Sequence, residues 1–274
     1  MSLLSSFKLK SKAELLRDSP SIKDGVTAEQ EAKWRYQMCH FMREVGMKLG
    51  MTQISIGYSN VLFTRFFSRH SMKNEGVDLY VLATACILLG GKLGETPKPI
   101  RDIIIMSWKM RYRKRKNVDT AVHQLQSNEE YFARVKEAVL VAERSLLYTL
   151  GFDFNIVLPY GRSVGAVESM GLEKEVAQEV CRVAWSFINE VLRTDIILQY
   201  HPYEIADAVV YTTLQMMKVV PPPGNEAWET LQRNWPRLEE IATVVLELFN
   251  QAGEAGNKAG GSAAGGGKGK GETG

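Results

Sequence analysis

Asp78-Leu-Tyr-Val-Leu-Ala-Thr-Ala-Cys-Ile-Leu-Leu-Gly-Gly-Lys92 is apolar on nearly every side, with alanines where neighbours must come close. A helix of that composition is buried all round, which makes it the hub of a bundle. A second stretch, Tyr203-Glu-Ile-Ala-Asp-Ala-Val-Val-Tyr-Thr-Thr-Leu-Gln-Met-Met-Lys218, reads as a worn copy of the first. Ala83 and Ala85 register with Ala206 and Ala208 at one offset, and Pro97 falls within one residue of matching Pro221. Such self-similarity marks an internal duplication, so two helical bundles in tandem are expected.

Working outward from the first hub, apolar residues recur at helical spacing over 29–50 (Trp34, Met38, Phe41, Val45, Leu49), with Gly50 as a stop. A second helix over 54–70 carries Val61, Leu62, Phe66 and Phe67 as a bulky stripe. Asp78 is an acceptable N-cap for the hub. The hub must end by Gly94-Glu-Thr-Pro-Lys-Pro99, where two prolines forbid continuation. Helices over 100–110 and 128–150, the latter closed by Gly151, complete a first repeat of five. Beyond Pro159 the pattern resumes over 160–170 and 173–193, and the second hub spans 202–218. After Pro221-Pro-Pro-Gly224 come a short helix around Trp228 and a last one over 238–251. No alternation persists long enough to make a sheet. The expected fold is all-α, with five-helix bundles over 28–155 and 156–252 and an N-terminal extension over 1–27.

Bulk properties agree with that division, since 274 residues accommodate two ordinary domains and 45% hydrophobic residues suffice for two cores. The longest apolar stretch falls far short of the ~18 residues that suggest a membrane span, so no membrane partner is expected. The N-terminus has no long apolar run of the secretory kind. Cys39, Cys86 and Cys181 are odd in number and set in apolar helical patterns, which reads as core-filling thiols in a reducing compartment. From Gly253 to Gly274 the composition turns to Gly, Ala, Lys and Glu, and a disordered tail is expected. It holds ten of the 23 glycines, so the rest of the chain is a better helix former than its overall composition suggests.

Two charges stand in apolar company. On the first hub, Leu82, Ala85, Leu88, Leu89 and Lys92 share a stripe at three- and four-residue steps. On the helix over 128–150, Val139, Leu140, Glu143, Leu146, Leu147 and Leu150 do the same. A charge so placed costs several kcal/mol unless paired. The simplest arrangement sets Lys92 against Glu143 at one end of the first bundle. By pattern alone the pair is either a boundary salt bridge or a docking feature that satisfies another protein.

Gly91-Lys92-Leu93-Gly94-Glu95-Thr96-Pro97, Ala142-Glu143-Arg144-Ser145-Leu146-Leu147 and Thr149-Leu150-Gly151-Phe152 resemble the two signature segments of the cyclin box. Val61-Leu-Phe-Thr-Arg-Phe-Phe67, Arg101-Asp-Ile-Ile104, Ala184-Trp-Ser-Phe-Ile-Asn189, Leu192-Arg-Thr194 and Ser19-Pro-Ser-Ile-Lys-Asp-Gly25 are similar to the transcriptional cyclins of the K, L and T group. The likeness covers about 19–251. It implies two tandem cyclin-box bundles and a non-catalytic, activating subunit of a cyclin-dependent kinase, in a nuclear heterodimer without cofactor. It further implies that Lys92, Glu143, Glu95 and the apolar residues Leu89 and Leu147 meet the kinase around its regulatory helix and activation segment. RNA polymerase II and splicing factors are then partners through the kinase. Gly94 departs from the first acid of the family's Lys-x-Glu-Glu run, and Thr64 stands where cell-cycle cyclins often carry aspartate.

Other signals carry less. Gly90-Gly91-Lys92 is no phosphate loop, because it follows a helix and Leu93 replaces the required Ser or Thr. His40, His70, His123 and His201 lack metal-ligand spacing, and no nucleophile elbow or zinc-protease helix occurs, so no metal or catalytic residue is expected. Trp108-Lys-Met-Arg-Tyr-Arg-Lys-Arg-Lys116 holds six basic residues in nine: Lys109, Arg111, Arg113, Lys114, Arg115 and Lys116. It reads as a loop that is solvated, serves nuclear import, or forms a phosphate patch. The first two readings outweigh direct nucleic-acid binding, since one basic loop makes few phosphate contacts. Two rival functions remain: a TFIIB-type DNA-gripping core, against which stand the missing Cys-x-x-Cys pair and a net charge of only +3, and a cyclin-fold adaptor that activates no kinase, favoured by Gly94.

Overall fold

A computed structural model describes residues 7–73, 76, 78–114 and 116–261, with side chains at 237 and 249–261 left aside. Among the described residues there are twelve α-helices, one 3₁₀ turn and no strand. The N-terminal extension contributes α1 (Lys12–Asp18) and α2 (Pro20–Lys23). The first bundle comprises α3 (Ala28–Lys48), α4 (Gln53–Phe67), α5 (Leu79–Leu93), α6 (Ile100–Tyr112), α7 (Val118–Ser127) and α8 (Glu129–Leu150). The second comprises α9 (Tyr160–Glu168), α10 (Lys174–Val191), the 3₁₀ turn Ile196–Leu198, α11 (Pro202–Met217) and α12 (Glu226–Gly261).

The hub α5 begins where expected, with Asp78 Oδ1 accepting from the backbone N–H groups of Tyr80 at 2.9 Å and Val81 at 3.3 Å. Every residue over 82–91 is buried, and α3, α4, α6 and α8 surround the helix. Glycine lets α4 come close: a Cβ on Gly90 would lie 2.2 Å from Ser59 Oγ and 2.8 Å from the Ser55 carbonyl oxygen. In the second bundle α11 holds the corresponding place, in contact with α9, α10 and α12. The two repeats share one buried core. At their seam Arg193 is 3% exposed and donates through Nη1 to Tyr36 Oη and Glu190 Oε2, both at 3.0 Å.

The N-terminal extension docks on α3 through a short polar chain. Ser19 caps α2 and donates to Glu31 Oε2 at 2.7 Å, while Glu31 Oε1 accepts from Arg35 Nη2 at 2.6 Å. Both Glu31 and Arg35 are buried, so each supplies the partner that the other's burial demands.

Two expectations need correction. The basic segment over 109–116 is not simply a loop: α6 runs on to Tyr112, and α7, unforeseen, starts at Val118. Trp108 meets Tyr112 and Tyr131 edge-on, and Arg111 pairs with Asp78 Oδ2 at 2.7 Å, which fastens the last turn of α6. The short helix around Trp228 and the last helix are one, α12, which passes through Pro236. Buried Leu231, Leu238, Ile241 and Val245 keep a single helical face across the proline, and Tyr211 of α11 stacks on Trp228 and packs at a tilt against Trp235. The α12 backbone is described as far as Gly261, and 262–274, the remainder of the segment expected to be disordered, lies outside the described residues.

Candidate functional site

Lys92 projects from the last turn of α5 and Glu143 from the middle of α8, and they meet: Lys92 Nζ donates to Glu143 Oε1 at 2.7 Å. Burial is lopsided. The lysine side chain is 52% exposed and the glutamate 11%. The carboxylate therefore lies in the wall of the bundle, neutralised by a cation that still faces water. Beneath them Leu88, Leu89, Leu146 and Leu150 are buried, and Leu147 is partly so. Leu89 belongs to the chain's own core and supports the site from behind.

The turn that leaves α5 is tightly fixed. Gly94 caps the helix, its N–H bonding the Gly90 carbonyl at 2.9 Å, and Thr96 N–H bonds the Gly91 carbonyl at 2.9 Å. Ser55 Oγ of α4 donates to the Gly94 carbonyl at 3.2 Å and lies 2.6 Å from Thr96 Oγ1. Glu95 sits between them, exposed, in a left-handed backbone conformation (φ 56) that few non-glycine residues adopt.

Sequence reading missed the exposed face of α8, which lies round the helix from buried Glu143. Val141, Ser145, Tyr148 and Phe152 recur at three- and four-residue steps along and just past α8, and the two aromatics are 74% and 57% exposed. Phe152 follows Gly151 as a second left-handed residue (φ 57), and its ring packs edge-on against Tyr148 at 6.0 Å. Large exposed side chains grouped so closely mark an interaction surface more than a solvated face. The available signal was Phe152 itself, a bulky residue directly after a helix-ending glycine. Next to this strip a groove of about 490 Å³ opens between α5 and α8, lined by Val81, Ala138, Val141 and Ala142 among others.

The basic segment is only partly available. Arg111 pairs with Asp78 and lies 4.6 Å over the Tyr80 ring, and Arg113 pairs with Glu44. Lys109, Lys114 and Lys116 are exposed, and Arg115 lies outside the described residues. Cys39 and Cys86 are fully buried free thiols, and burial pushes the Cys39 pKa up to about 12, which suits packing and not nucleophilic chemistry. No helix among the described residues is long and apolar enough to cross a membrane.

With this geometry in view, residues 4–155 match the family model described as "Cyclin, N-terminal domain". The chain belongs to the cyclin family. It is 35% identical to Cyclin-T1-3 of Oryza sativa subsp. japonica, over 88% of this chain and 48% of that one. It is 31% identical to the putative cyclin-T1-1 of Arabidopsis thaliana (86% and 90%) and 30% identical to Cyclin-K of Homo sapiens (86% and 40%). The chain spans less than half the length of the first rice and Arabidopsis relatives it matches. Among solved structures, a chain of the yeast RNA Pol II CTD kinase CTDK-1 complex shares the fold at a TM-score of 0.64 and 17% identity, over 91% of this chain and 84% of that one. A viral cyclin from herpesvirus saimiri does so at 0.60 and 14%, over 88% and 95%.

Proposed function

We propose that this cyclin is the non-catalytic, activating subunit of a cyclin-dependent kinase of the transcriptional class. One observation carries the reading: a half-exposed lysine neutralises a carboxylate in the bundle wall, on a helix whose C-terminal end exposes Tyr148 and, just past it, Phe152. Such a pair can fix the register of a partner helix that the two aromatics hold by burial, because a rigid charged point specifies orientation. Lys92, Glu95, Glu143 and Leu147 are the assigned contacts, with Tyr148 and Phe152 added and Leu89 as support. The cyclin supplies no reacting group. It binds the kinase conformer whose regulatory helix is turned inward, with lysine–glutamate pair and metal-binding groups aligned, and so raises that conformer's population.

The T- and K-type relatives support the transcriptional class, and with it a nuclear location and action on the RNA polymerase II tail or splicing factors through the kinase. Exposed Lys109, Lys114 and Lys116 suit import. The adaptor alternative keeps one supporting observation, Gly94, and the same experiment decides between them. The chain is co-expressed with transcriptional cyclin-dependent kinases, and phosphorylation of a polymerase-tail heptad peptide is measured. Stimulation by the wild type and its loss in a folded Lys92→Ala, Glu143→Ala double variant are expected. Normal stimulation by that variant would place the docking site elsewhere, and no stimulation by any form would favour the adaptor.

A further inference from the structure

We propose that Thr96 is a phosphorylation site for a proline-directed protein kinase, and that its phosphate frees the turn after α5 and draws Lys92 away from Glu143. The second half rests on the docking role proposed for that pair. Of the nine prolines in the chain only two follow a hydroxyl residue, in Ser19-Pro20 and Thr96-Pro97. The two sites differ in shape. Ser19 is a helix cap that accepts from Ile22 N–H and donates to Glu31, and Pro20 opens α2, so the chain after it is already wound. Thr96 is followed by exposed Pro97, then Lys98 and exposed Pro99 (φ −55, ψ 132), and helix resumes only at Ile100. An acceptor before a proline is itself biased to extended backbone, the form in which a kinase cleft reads a substrate.

The acceptor's surroundings set the consequence. Thr96 Oγ1 lies 2.6 Å from Ser55 Oγ, which also meets Thr52 Oγ1 at 2.9 Å. In the reaction Thr96 Oγ1 attacks the γ-phosphorus of ATP, the new O–P bond forms as the bond to ADP breaks, and the hydroxyl proton passes to the modifying kinase's base. The product carries roughly two negative charges, has no Thr96 hydroxyl proton left to donate to Ser55, and adds a phosphoryl group to the oxygen that packs 2.6 Å from Ser55 Oγ. The turn must lift from α4. Glu95, next in the chain and exposed, repels the phosphate, whereas Lys92 lies one helical turn back with half of its side chain in water. Lys92 moving to the phosphate leaves Glu143 in the bundle wall without its cation, and the docking surface changes in both shape and charge.

The test treats the full chain with ATP and a purified proline-directed kinase and maps phosphate by tandem mass spectrometry, with Thr96→Val and Ser19→Ala as controls. Three results are expected. Phosphate appears on Thr96, is missing from that position in Thr96→Val and persists in Ser19→Ala. Amide exchange quickens at Gly94 and Thr96, whose N–H groups bond Gly90 and Gly91. Affinity for the cyclin-dependent kinase falls about tenfold or more. Lack of phosphate on Thr96, or phosphate with unchanged exchange, overturns the proposal. Phosphate and faster exchange with unchanged affinity overturn its regulatory half. The Lys92→Ala, Glu143→Ala variant then separates the causes, since full affinity in that variant sinks the docking reading itself.

Discussion

Gly94 and Ser55 leave no room between them: a Cβ on residue 94 would lie 2.1 Å from Ser55 Oγ and 2.8 Å from its Cα. The departure from the family's first acid is thus built into the way α4 meets the end of α5. Ser55 occupies the space such a side chain would need, and its hydroxyl bonds the turn instead. This cyclin fixes by packing a turn at which the family pattern carries an acid.

Gly94→Glu is accordingly expected to destabilise the fold by about 1–3 kcal/mol, the usual cost of forcing atoms into filled space. Ser55→Gly in the same chain relieves the clash and recovers part of the loss, although it also removes the hydrogen bonds to the turn. Urea unfolding of the two single variants and the double variant measures the coupling. Strict additivity of the two changes would mean that the side chains never meet.

The Lys92–Glu143 pair predicts an asymmetry between its single variants. Lys92→Ala leaves a carboxylate that is 11% exposed without a cation, whereas Glu143→Gln leaves a lysine that is already half in water. After discounting for the exposure of the lysine, the first costs about 1–2 kcal/mol and the second less. Both variants are expected to lose kinase activation, so activity and chemical unfolding read different things. Equal stability losses would show that the carboxylate is solvated well enough to do without its partner.

Most of this site was legible because its signals are local. Asp78 and Gly151 act as helix ends through their own chemistry, and Lys92 and Glu143 each interrupt an apolar stripe at a position fixed by helical period. What escaped depended on distant contacts. The Gly94 clash needs Ser55, far away in the chain, and the exposure of Tyr148 and Phe152 depends on what α8 leaves uncovered. The helix α7 has few apolar residues to announce it and buries only Leu125. Proline is a sound stop signal in a sequence, yet at Pro236 two tryptophans held by Tyr211 outweigh it.

His70 makes stability depend on pH. Burial, assisted by the nearby Arg69 charge, holds its imidazole below the ordinary value of 6.5. Its Nε2 lies 2.9 Å from Thr149 Oγ1, and its ring stacks on Phe66. The unfolded chain therefore binds this proton more readily than the native one, so stability present above 6.5 is lost as pH falls toward the lowered native value. His40 is shifted in the same direction, mainly by burial, against the opposing pull of Glu44. Melting temperature should drop between about pH 7.5 and about pH 5.5, and His70→Gln should shallow that drop. An unchanged slope in His70→Gln would assign the dependence to His40 or to the carboxylates.

Pro236 tests whether α12 is truly continuous. Within an unbroken helix a proline forfeits the bond to the carbonyl four residues back, here that of Gln232, and presses its ring on that group. Pro236 is exposed, so water can satisfy the freed carbonyl, but the steric cost remains. Pro236→Ala restores the bond and is expected to stabilise the second bundle by about 1–3 kcal/mol, with slower exchange of the amides over 232–240. A break at this point would give the opposite result: alanine would gain no helical bond, and the loss of a rigid residue would slightly destabilise the chain.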